Sequence, residues 1–152
     1  NDRGITVWLK GNRVSRNQIM AIKEESVTDQ KNSLTVCLDN ILRHAGITRN
    51  TEYDLAQGKT AIQILEENMT GVQVLDLSGC SLDAVLYYVN QDIPVLAILE
   101  DGEAVLVTGF NEFNVVIMEP STGKLYKKGM NDATTWFAEN GNHFISYMKI
   151  EN

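Results

Sequence analysis

The stretch from Ile93 to Pro120 constrains this chain more than any other. It holds three short runs of aliphatic and β-branched residues, Val95 to Leu99, Ala104 to Phe110 and Val115 to Met118. Between them stand Glu-Asp-Gly and Asn-Glu-Phe-Asn, which suit hairpin connections in both length and composition. Three adjacent antiparallel strands are expected.

The segments on either side read as follows. Leu34, Cys37, Leu38, Ile41, Leu42 and Ala45 fall on one apolar stripe of a helix from Ser33 to Ala45, with Asn32 or Ser33 as its cap and Gly46 at the stop position. Residues 1–28 are a polar, irregular lead-in, in which Ile5 to Leu9 has strand character and Asn17 to Glu25 a loose helical spacing. Asn50 to Gly58 is expected as a loop or a frayed turn, Lys59 to Asn68 as a helix and Val72 to Leu77 as a strand. Ser81 caps a further helix carrying Leu82, Val85, Leu86 and Val89. After Pro120, Lys124 to Lys128 is a short exposed strand, Asn131 or Asp132 caps a helix through Ala138 with Trp136 and Phe137 on its buried side, and His143 to Ile150 is a last strand. Helices come first and a mostly antiparallel sheet later, an α+β layout with a single globular domain over residues 29–152.

Charge narrows the partners. The formal charge of −7 is spread along the 152 residues, which argues against nucleic acid or an anionic membrane surface and suits a basic peptide or a cation. No apolar run reaches the roughly 18 residues of a membrane span, so no membrane insertion is expected within this stretch. The chain opens at Asn1 without Met and is expected to belong to a larger protein, whose compartment stays open; an extracytoplasmic or membrane-tethered parent suits it equally. Cys37 and Cys80 make no disulfide framework and no metal-binding spacing, although one bridge between them stays open. A phosphate-binding loop and a dinucleotide glycine motif are missing from the sequence, and no cofactor is expected.

The order Ile93-Pro94-Val95, Gly102 to Gly109 and Ile117-Met118-Glu119-Pro120 resembles the papain-like cysteine peptidases of the bacteriocin-processing type, bacterial domains found in bacteriocin exporters and as stand-alone relatives. Leu42-Arg43-His44-Ala45-Gly46 resembles the Leu-Arg-aromatic-aromatic-Gly end of that family's nucleophile helix. The resemblance covers roughly Asp29 to Ile150 and implies a papain-like fold. It also implies where the chemistry would stand. Counting back from Gly46 puts the nucleophile position at Ser33, where the family has Cys followed by Gly-Pro. The general-base histidine position holds Glu103, and the orienting Asp or Asn position holds Glu119. Gln30 is the candidate for the oxyanion-hole glutamine, three residues from Ser33 where the family keeps about six.

Three of three catalytic positions have changed type. A hydroxyl needs a base to take its proton, and carboxylates are weak bases at neutral pH. The expectation is a lapsed peptidase that binds a peptide or protein segment in its former substrate cleft. Glu103 and Glu119 are expected close together, sharing a proton or holding a cationic group, with Glu100, Asp101 and Glu112 on flanking turns adding to the negative field. Two other readings stand beside this one. An active cysteine hydrolase would use Cys80, near a helix start, or Cys37, on the apolar stripe, with His143 or His44. The third reading is a structural module of a larger protein, without a ligand of its own.

Overall fold

A computed structural model of the chain describes residues 32–150. The elements run α1 (Ser33–His44), α2 (Glu52–Ala56), α3 (Ala61–Asn68), β1 (Val72–Asp76), α4 (Leu82–Val89), β2 (Val95–Ile98), β3 (Ala104–Phe110), β4 (Asn114–Glu119), β5 (Lys124–Gly129), α5 (Met130–Glu139) and β6 (His143–Lys149). The expected lead-in over residues 1–28, with its strand and helix candidates, and Gln30 lie outside the described residues.

The six strands form one sheet in the order β1-β6-β2-β3-β4-β5, with every pairing antiparallel. β2, β3 and β4 are the three adjacent strands expected from the sequence. β3 is buried along its whole length, as its unbroken apolar run implies for a strand covered on both faces. Side-chain alternation sorts the core into two clusters. Leu96, Leu106, Met118, Ile145 and Tyr147 face α1 and α3, while Val95, Ala97, Val105, Val107, Ile117 and Phe144 face α4 and α5. A register shift between Val107 and Gly109 lets Phe110 join the second cluster despite its even spacing.

The α+β layout therefore holds, with helices covering both faces of the sheet. The differences are local. The expected loop or frayed turn at residues 50–58 contains the short helix α2, led by Thr51, whose backbone N–H and hydroxyl both donate to the buried Asp39 (2.9 Å each). α5 starts at Met130, with Gly129 as its cap residue and no side-chain capping bond, so Asn131 and Asp132 sit in its first turn instead of capping it. The ladder of β5 runs on to the helix start, since the Met130 N–H donates to Phe113 O at 2.7 Å, and this leaves no room for a separate cap. Among the described residues no helix is long and apolar enough to cross a membrane.

Candidate functional site

The start of α1 is fixed by its sequence. Asn32 is the N-cap and its Oδ1 accepts the Thr35 N–H at 2.8 Å. Ser33 is then the first helical residue, and its Oγ accepts the Ala104 N–H at 2.8 Å, fastening the helix to the first residue of β3.

Two turns bring acids to the same place. In the β2–β3 connection Gly102 has φ +86°, the left-handed value that a three-residue hairpin loop requires, and the Glu103 carbonyl accepts Leu99 N–H at 2.7 Å. Asp101 Oδ1 accepts the Glu103 N–H at 2.9 Å, so Asp101 and Glu103 are set in one small turn. At the end of β4, Glu119 is half-buried and its Oε2 accepts the Ser121 hydroxyl at 2.6 Å. Ser33, Asp101, Glu103 and Glu119 line one cleft of about 410 Å³, walled by Tyr126 of β5 and Trp136 of α5.

The electrostatics agree with this geometry. Burial pushes the thiol of Cys37, one turn beyond Ser33 on α1, well above its ordinary range, and the Glu119 carboxylate at the end of β4 adds to the effect. The Tyr126 hydroxyl is likewise raised, first by burial and then by Glu119.

The remaining candidates are elsewhere. Glu112 lies on the β3–β4 turn, at the opposite end of the hairpin from Glu103 and outside the cleft. Successive turns of an antiparallel meander alternate between the two ends of the sheet, which separates this acid from the rest. Glu100 turns toward the α5–β6 connection, where its N–H donates to Asn140 Oδ1 at 3.0 Å.

Neither thiol is set against an imidazole. His44 ends α1, two turns from the fully buried Cys37 and so about 10 Å along the axis, with its Nε2 3.1 Å from Asp92 O. Cys80 packs with the cluster on the α4 and α5 face, whereas His143 is paired with Ile98, which belongs to the opposite face. Both cysteines are free and reside on different faces of the sheet, which closes the question of a bridge between them. Among the described residues no three His, Cys, Asp or Glu side chains converge as a metal-ligand set.

Sequence reading missed the aromatic walls. As expected, Trp136 and Phe137 both pack against the core from α5, Phe137 buried at 1% exposure and Trp136 partly buried, so that Trp136 also reaches the cleft. Neighbours on a helix stand about 100° apart, so Trp136 sits at the edge of the core stripe, where one side of its ring can face the cleft.

No protein-family model and no curated protein matches the chain. Among solved structures, the match to a candidate C39-like peptidase from Bacillus anthracis has a TM-score of 0.70 and covers 88% of this chain and 98% of that one, at 14% identity. The fold is that of a C39-like peptidase. This likeness carries the papain-like architecture, and the cleft lies where α1 begins and β3 meets β4 within that architecture.

Proposed function

We propose that this domain is a catalytically inactive relative of the bacteriocin-processing peptidases that binds a peptide segment in the former substrate cleft. The carrying observation is the lining of that cleft: a serine hydroxyl at the helix start, three carboxylates and two aromatic rings, with no thiol and no imidazole among the described residues that line it. Papain-like hydrolysis needs a thiolate beside an imidazolium, and the groups at Ser33, Glu103 and Glu119 supply neither. The likeness of the whole fold to a C39-like peptidase supports reading these as former nucleophile, base and orienting positions. Peptide binding is supported by the cleft's position beside β5, which is an edge strand among the described residues and along which an extended segment can be laid by strand addition.

Restoring the lost groups tests the assignment. In a Cys80→Ser background, the thiol introduced by Ser33→Cys is titrated through its iodoacetamide alkylation rate, alone and combined with Glu103→His. The combined variant should titrate at least about 1 pH unit lower than the single one, as a thiol beside an imidazolium does. An unchanged titration curve would remove Ser33 and Glu103 as a former catalytic pair.

A further inference from the structure

We propose that the outer edge of β1 is a self-association surface, on which β1 of a second copy of this chain lies antiparallel and joins the two six-stranded sheets into one, independently of anything the cleft binds.

The β1–β6 ladder fixes which groups point outward. Ile150 N–H donates to Gly71 O at 2.9 Å and Leu77 N–H to Phe144 O at 2.8 Å, so the odd-numbered residues of β1 are the ones bonded to β6. Val72, Val74 and Asp76 therefore turn their N–H and C=O groups away from the sheet, and among the described residues nothing bonds those backbone groups. β1 also lacks the devices that close an edge. It has no lysine, no proline and no bulge, and its one charge is Asp76 at its end. The opposite edge differs, since β5 carries Lys124, Lys127 and Lys128, which repel a second copy of the same strand.

The pattern of β1 is self-complementary. Antiparallel pairing centred on Val74 sets this valine against its own counterpart, Val72 against the partner's Asp76 and Gln73 against the partner's Leu75, and gives every outward N–H a carbonyl. Val72 and Val74 are only partly buried in the single chain, and pairing covers them on the α1 and α3 face. On the other face Met148, 43% exposed, is the cross-strand neighbour of Gln73 and stands in the same row as the partner's Leu75. Charge is complementary as well. The exposed Lys149 is the cross-strand neighbour of Val72, so the partner's Asp76 stands in its row and on its face, two strand spacings or about 10 Å away between backbones and within reach of a lysine side chain. The two Asp76 carboxylates are kept at opposite ends of the paired strands.

The full chain is followed by sedimentation equilibrium from about 10 μM to about 1 mM, since a strand pair of this length belongs with the weak, transient interfaces. The mass should rise from 17.0 kDa toward twice that value. In amide NMR over the same range, the signals of Val72, Val74 and Asp76 should shift and gain protection from solvent exchange. Val74→Lys and Val74→Glu, each verified as folded by the same spectra, place like charges at the two-fold axis and should each stay monomeric. An equimolar mixture of the two should associate again. A wild-type chain that stays at 17.0 kDa throughout overturns the pairing. So do amide shifts centred away from β1, association retained by either variant alone, or a mixture no heavier than its separate components.

Discussion

Ser33 and Cys37 lie one turn apart on α1 and show how position decides what a side chain can do. At the helix start, backbone N–H groups and the dipole would favour a thiolate. The residue there is a serine whose oxygen already accepts the Ala104 amide. The thiol is instead at Cys37, with 0% exposure, where burial favours its neutral form. The sign of the pH effect follows directly. The unfolded thiol ionises near pH ~8.5, while the folded one keeps its proton, so the contribution is fully present below that pH and is lost as pH rises toward the folded value. Urea midpoints measured from pH 8 upward should fall more steeply for the wild type than for Cys37→Ala; identical slopes would show that the buried thiol does not act. Folded protein should also react with a thiol reagent at the half-buried Cys80 before Cys37. Residue-level features were largely legible in the sequence, since the apolar stripe marked Cys37 as a core thiol and the count back from Gly46 led to a serine that lines the cleft with Glu103 and Glu119. Glu112 was grouped with them because composition shows that a turn is acidic and does not show at which end of the sheet it lies.

At the scale of elements, α1 carries the cleft through its cap. The Asn32 side chain satisfies the Thr35 N–H, and its own carbonyl accepts the Val36 N–H at 3.2 Å. Asn32→Ala should cost about 1 kcal/mol in chemical unfolding and loosen the first turn, so that the Ser33 contact to Ala104 N–H weakens and that amide exchanges faster with solvent. A variant with unchanged stability and exchange would show that the cap does not hold this end. α1, α4 and the three central strands could be read from periodicity because each has a continuous apolar pattern with its own stop and start signals. α2 could not, because its five residues have no apolar stripe and depend on the buried Asp39 bonding to Thr51 from another helix. The α5 cap was misplaced for a similar reason: its start is set by β5 hydrogen bonding through to Met130, a partner distant in sequence.

At the scale of the whole molecule, the last strand in the chain is not at the edge of the sheet. β6 pairs with β1 on one side and β2 on the other, joining segments that are separated by α4 in sequence. Strand pairing at such range leaves no trace in local composition, and this is why the order of the sheet was the least legible part of the fold. The same placement makes β6 a contributor to both cores. Phe144 belongs to the α4 and α5 cluster, where its ring centroid is 5.3 Å from that of Phe137, while Ile145 and Tyr147 belong to the α1 and α3 cluster. Ending the chain at Asn142 would strip β1 of its only partner among the described residues and open both clusters at once. Each lost large apolar side chain removes about 1.5–3 kcal/mol of burial, so three of them, with the ladder bonds on two sides, approach the roughly 5–15 kcal/mol that holds a whole domain folded. The truncated chain should show no cooperative thermal transition by circular dichroism. Phe144→Ala in the full chain should stay folded but lose about 3–5 kcal/mol, while Met148→Ser, at an exposed position of the same strand, should change stability by no more than about 0.5 kcal/mol. A truncated chain that still melts cooperatively would mean that the sheet closes without β6, and the two clusters would then have to be independent rather than joined through its alternating faces.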